Sequence, residues 1–423
     1  MNIKQILVFC LLFSSMQSMA QDKPLLTLEQ CYAFAATNSP LAQQKALTIT
    51  AGNMAEKNQN LKWLPQVDLN AQATYQSEVT SFPVKLPGVT VDELSKDQYK
   101  GTLEIVQPVY DGGIISGQKK LQHITTGIES QKVEVDLYQL RSKVNSYFFT
   151  ALLMEENMAL MNIVKEDLNN NIKKISAQVA NGMATNSNVD VLKAELLKAS
   201  QKIIEFNAIK KGAVQMLEIL TGTAIAENTT FVKPMNAADV AETVINRPEL
   251  KLFDFQKQQF QQQSKLISAR SNPKVSFFTN GGYGRPGLNQ LKNEFQWFYI
   301  GGVKLSIPIM SHFTKQKEKK LIKIQEQIVD IQKENFLNSN RQLLVQQKNE
   351  VEKYRQLVAT DTEIVLLRTK IKENASFKLE NGIITSTDYI TELNAENQSM
   401  LNQKLHEIQW LQARYNYQLI LGK

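Results

Sequence analysis

Cysteine is nearly absent: only Cys10 and Cys31 occur among 423 residues. Cys10 sits in an apolar stretch from Ile6 to Phe13, after Lys4 and before Ser18-Met19-Ala20. That is the pattern of a secretory signal cut before Gln21, so residues 1–20 are read as a signal peptide. The mature chain then keeps a single thiol and no intrachain disulfide. Cys31 is read as a small buried residue of the first helix. Histidine is also scarce, and His123, His312 and His406 lack metal-ligand spacing. There is no glycine loop that could cradle a phosphate. With no catalytic constellation, the chain is read as not an enzyme, with no cofactor and no metal. After the signal, no run of 18 or more apolar residues occurs, so any membrane insertion must use strands. The net charge of +7 is modest, and its acids and bases interleave. That describes solvated helix faces and no nucleic-acid partner.

Proline and glycine are missing from particular places. Proline is absent from 109–233 and from 309–423. Gly182 is the only glycine between 128 and 211, and Gly382 the only one between 309 and 421. Proline costs about 3 kcal/mol inside a helix, so these stretches permit long helices. The isolated glycines read as helix breaks, because glycine takes up the left-handed backbone of a C-cap. Within the stretches Leu337, Leu344, Val351, Val358 and Val365 recur every seven residues. Leu321, Ile324, Ile328 and Ile331 step by three and four. Narrow stripes of this kind are coiled-coil seams. The remaining faces are rich in Gln, Asn, Lys and Glu, which predicts a wall one helix thick. At 1.5 Å per residue, 113–180 would span ~100 Å.

The punctuation repeats. Asn38-Ser39-Pro40, Pro65 and Tyr75 recur 208 residues later as Asn246-Arg247-Pro248, Pro273 and Tyr283. Pro108, Lys119-Lys120, Asn181-Gly182 and Gly222 recur 200 later as Pro308, Lys319-Lys320, Asn381-Gly382 and Gly422. This predicts an internal duplication. A first repeat covers 21–222, a linker 223–245, and a second repeat 246–423.

Each copy also carries two strand-like segments. Val67, Leu69, Ala71, Ala73 and Tyr75 alternate with Asp68, Asn70, Gln72 and Thr74. Leu103 and Ile105 alternate with Lys100, Thr102 and Glu104. Val275, Phe277 and Tyr283 oppose Lys274, Ser276 and Asn280. Phe295, Trp297, Tyr299, Val303, Leu305 and Ile307 oppose Gln296, Lys304 and Ser306. Gly281-Gly282-Tyr283-Gly284 reads as a turn leaving a strand. Segments of this length, apolar on one face and polar on the other, match a transmembrane β-barrel with a wet lumen. Four strands cannot close a barrel, and an open edge in lipid leaves backbone groups unpaired. Several chains must therefore share one barrel. The alternative is a periplasmic or surface coiled-coil scaffold without a membrane barrel.

The order of motifs resembles the TolC-like outer-membrane efflux protein family over essentially the whole mature chain. The resemblance rests on Leu26-Thr27-Leu28-Glu29-Gln30 with Asn38-Ser39-Pro40, on Gln107-Pro108-Val109-Tyr110-Asp111-Gly112-Gly113, and on Ala413-Arg414-Tyr415-Asn416-Tyr417. It implies a mainly α fold with β: a long coiled-coil helical barrel, plus four strands contributed to a shared transmembrane barrel. It also implies a homotrimer in outer-membrane lipid that reaches into the periplasm. Such a trimer is a passive exit duct for an inner-membrane pump, joined through a periplasmic adaptor.

The turns carry the candidate site residues. Ser187 with Asp190, and Thr385 with Asp388, each read as a capping-box-like helix start. By the resemblance, Asp388 and Asp190 lie near a periplasmic pore constriction. The family's second acidic position falls on Thr391, which departs from the pattern. Asn181, Gly182, Met183, Asn381, Gly382 and Ile383 resemble the turns that meet the adaptor.

Overall fold

The structure is a computed structural model that describes residues 24–80, 94–235, 244–290 and 292–423. The signal peptide and residues 236–243 of the linker lie outside the described residues. The chain runs through β1 (Leu25–Leu26), α1 (Leu28–Asn38), α2 (Pro40–Leu61), β2 (Gln66–Tyr75) and β3 (Asp97–Tyr110). Next come α3 (Ile114–Ala180), α4 (Asn186–Thr221) and β4 (Thr230–Phe231). The order then recurs: α5 (Pro248–Arg270), β5 (Lys274–Arg285), β6 (Gln296–Ser306), α6 (Ser311–Glu380) and α7 (Ser386–Leu421). The proline-free stretches are the two long helices, of 67 and 70 residues, each followed by a helix of 36.

The chain forms two compact units. The first contains the described part of Met1–Ala42, with Asp136–Arg247 and Asn338–Lys423. Its core joins residues far apart in sequence. Leu28, Cys31 and Ala35 of α1 meet Val144, Phe148, Phe149 and Leu152 of α3, Leu217 of α4, and Ile408, Leu411 and Tyr415 of α7. Phe148 lies edge-on to Phe149 at 5.8 Å and to Phe231 at 5.4 Å. Cys31 is fully buried, as expected, and burial pushes its thiol up to about 12. The linker is not featureless: β4 pairs in parallel with β1, Leu25 opposite Thr230. A second cluster in this unit packs four helices together, with Leu168 and Ile175 of α3, Val189 and Leu192 of α4, Leu379 of α6, and Tyr389 and Leu393 of α7.

The second unit holds Gln43–Val135 and Pro248–Leu337. It contains one antiparallel sheet in the order β2-β3-β5-β6. The motif after β3 explains itself locally. The Asp111 carboxylate accepts from the Gly113 N–H at 2.9 Å and from the Ile115 N–H, satisfying free donors at the start of α3. Gly112 and Gly113 supply the left-handed turn that brings the carboxylate there, with φ of 76° and 89°.

The seven-residue row lies inward: Leu344 and Val351 are buried, and Leu337, Val358 and Val365 are half-buried. A second set of apolar residues on α6 faces outward, including Leu321, Ile324, Ile328 and Ile331. On α4, Leu197, Ile204 and Ile219 do the same.

The sheet and the two Asn-Gly turns

Register sorts the sheet into two faces, because directly opposite residues of an antiparallel pair point the same way. One face is apolar across all four strands. Leu69 lies opposite Leu103, Leu103 opposite Gly281, and Gly281 opposite Tyr299. The next rows place Ala71, Gly101, Tyr283 and Trp297 together, and Val67 with Ile105. Trp297 and Tyr299 are each 82% exposed. The other face carries Asp68 beside Glu104 and Asn280, and Gln72 beside Lys100. The alternation read from sequence therefore holds strand by strand. One expectation does not. Gly281-Gly282-Tyr283-Gly284 stays inside β5 and is no turn. A Cβ at Gly282 would come within 2.6 Å of the Gly101 carbonyl oxygen, and one at Gly284 within 2.7 Å of the Tyr99 carbonyl oxygen. These glycines serve close strand approach. Both edges of the sheet, β2 and β6, end without a partner strand among the described residues.

Both predicted helix breaks are present. Gly182 and Gly382 have φ of 72° and 70°. A Cβ at either would meet no atom within 4 Å, so backbone conformation alone calls for glycine. In each turn the glycine N–H bonds back at 3.0 Å, to Val179 and Leu379, and the next N–H reaches Gln178 at 2.8 Å or Lys378 at 2.9 Å. That is the paired bonding of a Schellman ending. Met183 is 70% exposed and Ile383 66%. The Asn381 amide donates to the Phe377 carbonyl at 2.8 Å.

The helices that follow the two turns start differently. Thr385 and Asp388 form a full capping box. The Asp388 N–H donates to Thr385 Oγ1 at 3.2 Å. The Asp388 carboxylate accepts from the Thr385 N–H at 3.0 Å and the Thr385 hydroxyl at 2.7 Å. Those hydrogen bonds from the Thr385 side chain and backbone hold its pKa below the usual carboxylate range. The α4 start differs from expectation. Its N-cap is Thr185, without a side-chain cap bond, and Ser187 lies inside the helix. The residue three after Thr185 is Asn188, so Asp190 falls outside the capping position and is simply exposed. Thr385→Ala is expected to loosen the first turn of α7 by about 0.5–2 kcal/mol, read as faster amide exchange there. Because the Asp388 pKa is lowered on folding, its contribution is complete above the unfolded carboxylate pKa. It fades as pH falls below about 4.

Sequence pattern missed the polar contacts that tie α6 and α7 to α3. Lys372 Nζ lies 3.2 Å from Asp167 and 3.2 Å from Glu396, whose side chain is only 3% exposed. Burial opposes its charge, but Glu396 and Asp167 more than offset this, and its pKa is raised. Asn171 donates to the buried Tyr389 hydroxyl at 2.9 Å, and Gln178 donates to the Glu380 carbonyl at 2.8 Å. Burial, with Asp167 and Glu396 adding negative charge, pushes the Tyr389 phenol up. Among the described residues no helix is long and apolar enough to cross a membrane, and no acidic, histidine or cysteine group could hold a metal.

Residues 33–223 match the family model described as outer membrane efflux protein. Over that segment the chain is similar to the outer membrane efflux protein family. The fold of such channels extends over nearly the whole chain. A crystal structure of CusC, reported for conformational changes accompanying folding and transmembrane channel formation, covers 97% of this chain and 96% of its own. Its TM-score is 0.67 at 12% identity. The outer membrane protein VceC of Vibrio cholerae gives 0.65 at 12% identity, over 93% of this chain and 94% of its own. The open state of the Neisseria gonorrhoeae MtrE outer membrane channel gives 0.65 at 13% identity, over 93% and 89%. No curated protein sequence matches the chain.

Proposed function

We propose that this protein is the outer-membrane exit duct of a tripartite efflux or type I secretion assembly, spanning outer membrane and periplasm without catalysing a reaction. The observation that carries this is the four-stranded sheet, in which the rows Leu69–Leu103–Gly281–Tyr299 and Ala71–Gly101–Tyr283–Trp297 are carried by apolar and aromatic residues and glycine, and whose two edges have no partner strand among the described residues. In water the exposed Trp297, Tyr299, Leu69 and Leu305 would form an aggregation-prone patch. In a bilayer they face lipid, and the opposite face, with Asp68, Lys100 and Glu104, lines a wet lumen. The unpaired edges β2 and β6 then pair between chains. A homotrimer of three such sheets, as in the resembled family, closes the barrel. The outward apolar residues of α4 and α6 supply the matching seams between neighbouring chains.

Within this reading the chain is two repeats, 21–222 and 246–423, joined through 223–245. The turns at Asn181-Gly182-Met183 and Asn381-Gly382-Ile383 are the adaptor contacts, with Met183 and Ile383 as exposed apolar contacts for a periplasmic adaptor that recruits the pump. Asp388 and Asp190 lie on the helices that leave these turns and contribute negative charge at the periplasmic constriction.

Two measurements test the reading. The purified chain should run as a heat-labile oligomer from outer-membrane extracts and conduct ions in a planar bilayer. A soluble, non-conducting chain would establish the coiled-coil scaffold instead. Replacing both Met183 and Ile383 by Asp should leave that oligomer intact while abolishing export and co-purification of the adaptor. Unchanged export would remove the turns from the docking role.

A further inference from the structure

The two hairpins of the sheet share one register. Pro65 and Tyr75 recur 208 residues later, and Pro108 recurs 200 later. Adding 208 to a β2 residue and 200 to its β3 partner turns every pair of the first hairpin into a pair of the second. Gln66 opposite Val106 becomes Lys274 opposite Ser306, and Tyr75 opposite Asp97 becomes Tyr283 opposite Trp297. All of these pairs are present.

The β3–β5 junction joins the hairpins within the chain. Its two strands have counterparts at the unpaired edges, β3 in β6 and β5 in β2. The same offsets therefore carry the junction register to the edges. Ile105 opposite Thr279 becomes Leu305 opposite Ala71, and Leu103 opposite Gly281 becomes Val303 opposite Ala73. Gly101 opposite Tyr283 becomes Gly301 opposite Tyr75.

Four properties support the carried pairs. They join apolar face to apolar face, whereas a slip of one residue would set Leu305 against Asn70 or Gln72. They keep the sizes of the observed junction: a small residue opposite a branched aliphatic one, and tyrosine opposite glycine. A slip of two would set Tyr75 against Val303 or Tyr299. They also explain where β6 stops. β3 continues to Tyr110, opposite Val275, but β6 ends at Ser306, short of its counterpart Met310. Ile307 and Met310 are exposed, and the carried register sets them opposite Leu69 and Val67. Finally, the register is staggered. The row Leu69–Leu103–Gly281–Tyr299 meets the next copy at Ser77 instead of returning to Leu69, and closing a barrel of tilted strands requires such a stagger.

We propose that neighbouring copies of this chain join β6 to β2 in the register of the β3–β5 junction, so that Leu305 of one copy lies opposite Ala71 of the next. This rests on the shared barrel of the proposed function and specifies its seams residue by residue. One junction geometry then serves within the chain and between chains.

Disulfide reach supplies the test. Bridged cysteines have Cα atoms about 4.4–6.8 Å apart. Directly opposite residues lie about 4.5–5.5 Å apart, and diagonal ones about 7–8 Å. Ala71→Cys with Leu305→Cys probes one face, and Gln72→Cys with Lys304→Cys the other. Adjacent pairs of this kind sample both spacings of an antiparallel ladder. Each pair sits on opposite edges of one sheet, so a bond joins two chains. Cys31 is buried and stays in place. After oxidation in outer membranes, both double variants are expected to give a ladder of linked chains on denaturing gels without reductant. Single variants should give none. Ala71→Cys with Val303→Cys, or with Ile307→Cys, should stay unlinked. Linking that peaks in a slipped pair, or a heat-labile oligomer that links in neither matched pair, would overturn the register. A wild-type chain that forms no oligomer in the outer membrane would overturn the duct reading itself, which keeps the two failures apart.

Discussion

Leu69→Arg is expected to abolish the outer-membrane oligomer, while Asn70→Arg leaves it in place. The two residues are neighbours on β2, yet register sends them to opposite faces. Leu69 is 81% exposed and shares its row with Leu103 and Tyr299. Asn70 shares its row with Thr102 and Gly282. An arginine facing lipid near the bilayer midplane costs about 2–4 kcal/mol, and each chain of a shared barrel bears that cost. An arginine in a wet lumen keeps its hydration. The measurement is the heat-labile oligomer band in detergent extracts of the outer membrane. Equal tolerance, or loss with Asn70→Arg only, would reverse the assignment of faces.

Lys372→Met should produce the second large effect. The change leaves Asp167 and the buried Glu396 without their shared cation. Removing one partner of a buried ion pair typically destabilises by about 3–5 kcal/mol, because an uncompensated charge stays behind. Since the Lys372 side chain is still 16% exposed, water softens this, and the lower end of about 3 kcal/mol is expected. Adding Glu396→Gln to Lys372→Met should recover a substantial part. Thermal unfolding in detergent would read the size, and hydrogen exchange would place the loss in α6 and α7. A raised lysine pKa gives a stabilisation that is complete below the ordinary lysine value of about 10.4 and declines only as pH climbs through the folded value. The wild type should therefore show no dependence on this group near neutrality.

How far the sequence carried can be judged residue by residue. The long helices, their breaks at Gly182 and Gly382, and the two faces of each strand were legible because they rest on local rules: proline exclusion, left-handed glycine, and a period of two. The Thr385–Asp388 cap was legible for the same reason. Ser187 with Asp190 satisfied the same pattern and misled, because Thr185 two residues earlier is the residue with extended backbone at the helix start. The two Asn-Gly turns are alike, but the helices after them differ at the capping position, since Asn188 lies three residues after Thr185 where Asp388 lies three after Thr385. Gly281 to Gly284 misled because glycine serves turns and close-packed strands alike, and only the neighbouring strand decides. Lys372 with Asp167 and Glu396 was invisible, since nothing local to α6 announces partners on α3 and α7. The outward row of α6, Leu321 to Ile331, was legible as a coiled-coil seam, whereas that of α4, with Leu197, Ile204 and Ile219, came only from the structure.

The first unit is assembled from three separated stretches of chain, and this bears on the route by which the protein reaches its destination. Leu28 and Cys31 from the beginning meet Ile408, Leu411 and Tyr415 from the end in one core. Parallel pairing of β1 with β4 also joins residues about 200 positions apart. A polypeptide threaded through a translocon N-terminus first cannot complete this core until its last helix has emerged. The first unit therefore closes last, and a product truncated before α7 is expected to leave its core open to proteases, while the second unit, which ends at Leu337, is already complete.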